Sequence, residues 1–252
     1  MAEYDRQTLN ARAGSAVAID EGLRSYMLRV YNYMGLGLVV TGLVAWYVST
    51  LVAPQGSLID ASGSFATAFG AALYGSPLQW VVMLAPLGFV LVLSFGINKL
   101  SPVATQALFW VFAAVMGLSL SSIFAVYTGG SIAKVFFISA AMFGAMSLYG
   151  YTTKRDLTNI GSFLIMGLFG LIIASIVNIF LQSSALDFAV SAIGVLIFAG
   201  LTAYDTQKIK EMYYEADSTE AAGRKAIMGA LTLYLDFINL FLFMLRFLGN
   251  RE

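Results

Sequence analysis

The amino-acid sequence predicts an all-α membrane protein, built as a bundle of seven transmembrane helices. Of its 252 residues, 59% are hydrophobic and only 11% are charged, whereas a soluble domain of this size carries roughly 25% charged residues. The apolar residues form continuous runs near the length of about 20 residues that a helix needs to cross a bilayer. The runs lack the alternation typical of transmembrane strands, so helices are favoured over a closed barrel.

The apolar runs predict seven spans that follow one another along the chain. Residues 1–25 mix acidic and basic side chains without an apolar core, which is typical of a cytoplasmic tail and not of a signal peptide. Residues 26–252 then form the seven-helix domain. The predicted spans are 29–52, 79–99, 104–127, 132–152, 159–181, 186–208 and 227–248.

Two of the connections between spans are long. Residues 53–78 are rich in glycine, alanine and serine, and four of their apolar residues recur at helical spacing, which predicts a short interfacial helix on the outer face. These residues are Phe65, Phe69, Leu73 and Tyr74. The connection 209–226 is polar, and we expect it to be mobile.

The distribution of basic residues predicts the topology. Eleven of the 14 basic residues fall in the N-terminal tail or in the connections after the second, fourth and sixth spans, and only Lys134, Arg246 and Arg251 fall on the other side. The positive-inside rule therefore predicts a cytoplasmic N-terminus and, with seven spans, an outer C-terminus. If the last span re-enters, or if only six spans cross, the C-terminus returns to the inner side.

The composition excludes several kinds of chemistry. The chain contains no cysteine and no histidine, which excludes disulfides, thiolate and histidine metal sites, and histidine-dependent catalytic triads. Its basic and acidic residues balance at 14 each, so nothing indicates a nucleic-acid partner. Any chemistry must come from carboxylates, hydroxyls, amides and the backbone.

Two aspartates lie inside the last two apolar stretches. Asp205 is in GLTAYDTQKIK, one to two turns inside the boundary, and Asp236 is in ALTLYLDFINLFLFMLRFLG, about ten residues past Lys225. A carboxylate at membrane depth costs at least about 2.5–3.5 kcal/mol, which favours a functional role. Both fall in the same half of the bilayer on consecutive antiparallel helices. A helical extension of the sixth span toward Tyr213 and Tyr214 brings their depths closer.

If the two carboxyl groups meet, they share a proton and are able to act as a pH sensor. The alternative for Asp205 is a boundary residue that pairs with Lys208 or Lys99. Other polar residues in the spans have simpler interpretations. We expect Asn178 and Asn239 to form hydrogen bonds between helices, and Arg246 to extend its side chain toward the interface.

Further structural roles concern small and aromatic residues. Tyr149 and Tyr151 fit an interfacial aromatic belt. Glycines in the first, fourth and sixth spans predict close helix packing. These glycines are Gly35, Gly37, Gly42, Gly144, Gly194 and Gly200.

Three classes of function are compatible with two membrane aspartates. An intramembrane aspartyl protease shares a proton between two such residues, but Leu233, Tyr234 and Leu235 precede Asp236 in place of a Gly-x-Gly motif. Carboxylates beside a water-filled path attract cations, and Ca²⁺ prefers oxygen ligands. The third class is a regulator that binds another membrane protein without moving ions.

Three motifs resemble the Bax inhibitor-1 family, also called the transmembrane Bax inhibitor motif proteins, which has bacterial members. The motifs are YGYTTKRDLT (149–158), AYDTQKI (203–209) and LYLDFINLFLFMLRFLG (233–249). The resemblance covers residues 25–250 in span count and order. It implies a seven-helix bundle whose last helix is central, in a bacterial inner membrane.

The resemblance also implies a function, namely a passive Ca²⁺ leak that acid promotes, with Asp205 and Asp236 as proton sensor and transient Ca²⁺ ligands. It implies no catalytic residues and no cofactor, Ca²⁺ being the permeant ion. A basic residue from the second span can lock the aspartate pair in such proteins, and Lys99 in FGINKLSP occupies that position. Bacterial relatives can carry arginine there. Because lysine is a point charge without a bidentate fork, a lock at Lys99 should be weaker or absent.

The alternative within the same family is regulation. Some members are linked to suppression of cell death or to modulation of a membrane-anchored ATP-dependent protease. A protein of that kind would bind its partner in the bilayer and conduct nothing.

Overall fold

The fold is a bundle of long α-helices, as the sequence predicts. The computed structural model describes residues 2–52, 65–96 and 100–250, and describes side chains from residue 21 onward. Within these ranges the chain forms eight α-helices and one 3-10 helix and contains no β-strand. The helices are α1 (Ala2–Val52), α2 (Ala68–Tyr74), α3 (Leu78–Gly96), α4 (Pro102–Leu120), the 3-10 helix Ser121–Ala125, α5 (Gly129–Thr152), α6 (Thr158–Leu181), α7 (Ser184–Glu211) and α8 (Thr219–Leu248).

Seven of these helices correspond in order to the seven predicted spans. Each contains an apolar stretch long enough to cross a bilayer, and in α1 this stretch is Glu21–Val52. The main differences lie around the connection 209–226, because α7 continues to Glu211 and α8 begins at Thr219. The polar stretch is therefore mostly helical. A 2.6 Å ion pair between Lys225 and Asp217 closes the short turn that remains.

The last helix lies at the centre of the bundle, as expected. In its apolar stretch 67% of the residues are buried inside the protein, whereas the corresponding value for α6 is 6%. Helix α8 packs against α1, α4, α5 and α7. Helix α6 packs mainly against α7 and leaves most of its surface to the lipid. Burial in a membrane bundle thus depends on neighbouring helices and not on hydropathy, which is highest in α6.

The last helix also crosses the whole bundle. At its end, the backbone of Asn250 accepts a hydrogen bond from Thr128 N (3.3 Å) and donates one to the Ser131 hydroxyl (2.9 Å). Thr128 and Ser131 lie at the start of α5. At the other end of the bundle, Lys210 near the end of α7 donates to the backbone oxygen of Tyr151 near the end of α5 (2.8 Å).

We call this second end the basic end. It holds residues 21–29, the connection 153–157 and the turn 212–218. The end that holds Thr128 and Asn250 is the opposite end.

The predicted interfacial helix is present as α2. Thr67 caps it, since its hydroxyl accepts from Gly70 N (2.9 Å) and donates to the Leu51 carbonyl at the end of α1 (3.0 Å). The hydroxyl groups of Tyr74 and Ser121 lie 2.6 Å apart. The helix thus lies across the opposite end of the bundle, and Phe65 precedes it. Residues 53–64 lie outside the described ranges.

Two predictions for polar residues, those for the asparagines, were wrong. The Asn178 side chain accepts from Ser183 N (3.0 Å) and so closes the α6–α7 connection, and Asn239 donates to Leu235 O within its own helix (2.8 Å). Neither makes the predicted bond between helices in the described structure. Both amides use nearby backbone acceptors or donors, which need no second helix. Arg246 forms a 3.5 Å ion pair with Asp187, and this pair joins α8 to α7.

The glycines divide into two groups. A Cβ on Gly37, Gly194 or Gly200 would press on a side chain of a neighbouring helix, as predicted, whereas Gly35, Gly42 and Gly144 face open space. Other glycines permit close contacts that the sequence analysis missed. Gly150 lies on the backbone of Ala203 where α5 crosses α7, and Gly161 lies under the ring of Tyr204. The α5–α7 crossing brings the YGYTTKRDLT and AYDTQKI motifs together.

The crossing at Gly150 generates a test. Gly150→Ala should lower the melting temperature of the purified protein, because its Cβ would overlap the Ala203 carbonyl and force α5 away from α7. Gly144→Ala is the matched control on the same helix. It adds a methyl group in open space and should leave stability unchanged or raise it by up to about 1 kcal/mol. Equal melting temperatures for the two variants would contradict the proposed close crossing.

Candidate functional site

The two predicted aspartates are in contact. Asp236 on α8 is 5% exposed, and Asp205 on α7 is half-buried. Their carboxyl groups lie within hydrogen-bonding reach of each other. The geometric expectation is therefore confirmed. The contact follows from the antiparallel packing of α7 and α8, which are consecutive in the chain. Nearer the basic end, Ile209 of α7 packs on Gly229 of α8.

Contact between two carboxyl groups requires a proton. An ionised carboxylate only accepts hydrogen bonds, so one of the two groups must carry the proton that the other accepts. Two ionised carboxylates at this separation would repel strongly in a medium of low dielectric constant. The proton belongs to the pair as a unit. The packing of α7 against α8 thus includes one contact that depends on a titratable proton.

The charges around the pair are few. Lys208, one turn toward the basic end, is exposed and acts on Asp205 through its charge. None of the ion pairs between described side chains involves either aspartate. The Oδ2 atom of Asp236 is buried, and no amide, hydroxyl or basic group of the described residues donates a hydrogen bond to it. Lys99, predicted as the lock, lies outside the described residues.

A chain of hydroxyl groups lies beside the pair and joins three helices. Tyr31 on α1 is 2.7 Å from Ser147 on α5, and Ser147 is 2.9 Å from Thr206 on α7. Thr206 directly follows Asp205. It donates to the Thr202 carbonyl at 2.7 Å.

These bonds have only one consistent direction. Each hydroxyl has one proton, and Thr206 uses its proton on Thr202. Ser147 must therefore donate to Thr206, and Tyr31 must donate to Ser147. The chain of hydroxyl groups thus runs from α1 through α5 to α7, and each of its three hydroxyls donates its proton. It fixes the backbone of α7 next to Asp205.

Gln207 fixes the same turn of α7 from another side. It is 5% exposed. Its side-chain oxygen accepts from Leu157 N and its nitrogen donates to Arg155 O, both at 2.8 Å. The α5–α6 connection is thereby bonded to α7. In the same connection, hydrogen bonds from Thr158 hold the pKa of the exposed Asp156 below its usual range.

Aromatic residues fill the bundle where α8 faces α1 and α4, away from the aspartate pair. Tyr234 on α8 is fully buried. Its ring packs edge-to-face on Phe112 and Phe109, with ring centroids 5.2 and 6.3 Å away. Its hydroxyl lies 2.6 Å from Thr41. Since Thr41 donates its own proton to the Ala113 carbonyl (2.8 Å), Tyr234 must be the donor to Thr41.

The site does not form a preorganised metal centre. Among the described residues, no group of three or more acidic side chains could hold a metal ion. Ca²⁺ takes six to eight oxygen ligands, and the aspartate pair supplies two carboxyl groups. These residues fit a passing cation better than a resident one.

The sequence analysis found the aspartates but missed the residues that position them. Thr206 and Gln207 lie in the AYDTQKI motif, so their position next to Asp205 in the sequence could have identified them as positioning residues. Tyr31 and Ser147 gave none, because they are 116 residues apart in the chain. Neither stands out among the other tyrosines and serines of the apolar runs.

Comparison with known proteins identifies the family. The family model described as "Inhibitor of apoptosis-promoting Bax1" matches residues 23–252. The chain belongs to this family, the Bax inhibitor-1 family. The predicted resemblance is thereby confirmed.

Bacterial relatives match over nearly their whole length. An uncharacterized protein of Rickettsia prowazekii is 54% identical over 234 residues, 92% of each chain. Inner membrane protein YbhL of Escherichia coli K12 is 49% identical over 243 residues, which cover 96% of this chain and 98% of YbhL. An uncharacterized protein of Caulobacter vibrioides is 48% identical over 238 residues, 94% of this chain and 93% of the relative.

The hydroxyl chain generates a prediction for stability. Ser147→Ala removes the acceptor of Tyr31 and the donor to Thr206, and it should destabilise the protein by about 1–3 kcal/mol, seen as a lower melting temperature in detergent. Ser162→Ala is the control, because the exposed Ser162 bonds only to the Thr158 carbonyl of its own helix. A Ser147→Ala protein as stable as the Ser162→Ala protein would contradict a structural role for the chain.

Proposed function

We propose that this protein is a pH-sensitive leak channel for Ca²⁺ or for cations more broadly, with Asp205 and Asp236 as its proton sensor. The observation that carries the proposal is the hydrogen bond between the two carboxyl groups inside the bundle. Membership of the Bax inhibitor-1 family supports it. The proposed location is the bacterial inner membrane, as in the name of YbhL. The N-terminus would be cytoplasmic because the basic end carries most of the basic residues.

The number of protons on the pair sets its charge and its geometry. With one shared proton the pair carries one negative charge and holds α7 against α8. Acid adds a second proton and removes this charge, which ends the attraction to Lys208 and to the proposed lock, Lys99. We therefore expect flux to increase as the pH falls. Loss of the shared proton would leave two like charges in contact, which is disfavoured at low dielectric constant.

A cation would reach the pair from the basic end. Asp205 is half-buried and lies near the exposed Lys208, so the barrier on that side is short. The longer barrier is the aromatic packing at the depth of the pair, where Tyr234 and Phe112 fill the space between α8 and α4. The described arrangement is therefore a closed state, and conduction requires α8 to move relative to α1 and α4. A passing Ca²⁺ would use the carboxyl oxygens as transient ligands.

Flux through liposomes tests the sensor. Wild-type protein in vesicles loaded with a Ca²⁺ indicator should conduct more as the pH is lowered through the physiological range. Asp205→Asn and Asp236→Asn should each change the pH dependence of the flux, because the remaining carboxyl group titrates alone, without a carboxylate partner that shares its proton. Asp187→Asn is the matched control, since Asp187 pairs with Arg246 at the opposite end. It should keep the wild-type pH profile.

Two results would argue against the proposal. Unchanged pH dependence in both Asn variants would remove the sensor role from the pair. Absence of any flux from folded wild-type protein at all pH values would remove the channel itself. Circular dichroism and melting temperature of each variant separate these results from misfolding.

The aromatic barrier gives a second test of the closed state. Tyr234→Phe keeps the ring packing and removes the hydrogen bond to Thr41, with an expected loss of about 0.5–1.5 kcal/mol of stability. Because this bond ties α8 to α1, the variant should leak more than wild type at every pH while keeping the pH dependence. Tyr47→Phe is the control, because Tyr47 is 60% exposed on α1, and it should conduct as the wild type does. A Tyr234→Phe variant with wild-type flux would place the barrier elsewhere.

A regulatory function is the second candidate, and the exposure of α6 favours it. Only 6% of the apolar stretch of α6 is buried, so this helix offers a long surface to another membrane protein. A membrane-anchored ATP-dependent protease is the partner class suggested by the family resemblance. Cross-linking from α6 in native membranes, followed by purification, distinguishes the candidates. A stoichiometric partner together with zero flux would favour regulation.

A further inference from the structure

A cleft separates α1 from α5 near the basic end of the bundle. Its volume is about 600 Å³, within the range of about 300–1,000 Å³ typical of sites for small ligands. It lies between two membrane-spanning helices, so its open side faces the bilayer. Its walls are Arg24, Met27, Leu28, Tyr31, Phe143, Gly144, Ser147, Leu148 and Tyr151.

The inside of the cleft is suited to an apolar occupant. Gly144 contributes no side chain, and a Cβ there would meet no atom within 4 Å. Three residues that line the cleft carry hydroxyls, namely Tyr31, Ser147 and Tyr151, and the first two already bond to each other. These two leave little polar capacity for a ligand. Leu28 and Leu148 are 52% and 63% exposed and form apolar rims.

A polar cavity adjoins the apolar cleft. It has a volume of about 510 Å³ and shares Arg24 and Leu28 with the cleft. Its other walls include Arg29 and Glu21, so the charged side chains that line the two cavities have a net charge of +1. No ion pair between described side chains involves Arg24 or Arg29. The two guanidinium groups are able to bind a phosphate.

The depth of the two cavities matches a phospholipid. The long apolar run of α1 begins near Val30, so Arg24 and Arg29 lie just before it, at the level of the lipid headgroups. Tyr31 is seven residues past Arg24 along the helix, or about 10 Å deeper. The polar cavity thus lies at the membrane surface and the apolar cleft extends from it into the hydrocarbon.

We propose that these adjoining cavities bind one anionic phospholipid, such as phosphatidylglycerol. Arg24 and Arg29 hold its phosphate, and one acyl chain lies in the cleft against Met27, Leu28 and Phe143. Basic pockets between transmembrane helices are known to bind anionic headgroups. The bilayer supplies this ligand at high local concentration. The inference does not depend on ion conduction.

Native mass spectrometry of the full-length protein in detergent tests this site. Phosphatidylglycerol and phosphatidylcholine with the same acyl chains are titrated separately, and wild type should bind phosphatidylglycerol more tightly. The double variant Arg24→Gln, Arg29→Gln should weaken phosphatidylglycerol binding about tenfold or more. Lys154→Gln is the control, because Lys154 is an exposed cation at the same end and outside both cavities. It should bind as wild type does.

A second variant tests the apolar part of the site and keeps every charge. Gly144→Leu places a side chain in the open space of the cleft and should reduce binding of both lipids. Melting temperatures establish that each variant is folded. Equal affinity of wild type for the two lipids would overturn the proposal. So would equal phosphatidylglycerol binding by the arginine double variant and Lys154→Gln, or undiminished binding by folded Gly144→Leu.

Discussion

A hydrogen bond between two carboxyl groups constrains the centre of this bundle. It joins Asp205 on α7 to Asp236 on α8 in a region of low dielectric constant, where it exists only while one proton is shared. The surrounding structure holds α7 in place for it. Gln207 bonds this helix to the α5–α6 connection, and Thr206 receives the hydroxyl chain from α1. Because these contacts hold α7 from two sides, we expect a change in the protonation of the aspartate pair to move mainly α8.

The two halves of the bundle differ in the forces that hold them together. Toward the basic end, the helices are joined by polar contacts such as Ser147 to Thr206 and Lys210 to the Tyr151 carbonyl. Toward the opposite end, aromatic rings pack on α8, as where Phe136 packs on Phe237 and Phe241. Hydrophobic association is weak inside lipid, so packing and hydrogen bonds provide most of the specificity. Polar contacts in the half near the basic end fix the orientation and register of the helices. Ring packing in the other half excludes water from the interior of the bundle.

The sequence predicted the parts of this structure that have a local or compositional signature. The seven spans followed from the length of the apolar runs, and contact between Asp205 and Asp236 followed from their depths on consecutive antiparallel helices. Other features depend on pairs of residues far apart in the chain, such as Tyr31 with Ser147 or Gly150 with Ala203. Because the lipid-facing and buried surfaces of these helices are both apolar, the sequence pattern does not show which residues face a neighbouring helix. The predicted interhelical bonds of the asparagines failed for the same reason.

The order of residues on α8 would couple the proposed proton sensor to the proposed barrier. Tyr234, Asp236 and Phe237 lie within one turn of the same helix, and a helical turn moves as a unit because its backbone hydrogen bonds are intact. Any shift that changes the contact of Asp236 with Asp205 therefore also moves the Tyr234 ring against α1 and α4. Helix shifts of about 1–2 Å are common in switching proteins, and such a shift is enough to break the 2.6 Å bond between Tyr234 and Thr41. Direct coupling of this kind needs no signal through the rest of the bundle, since the proposed sensor and barrier residues, Asp236 and Tyr234, are two positions apart on one helix.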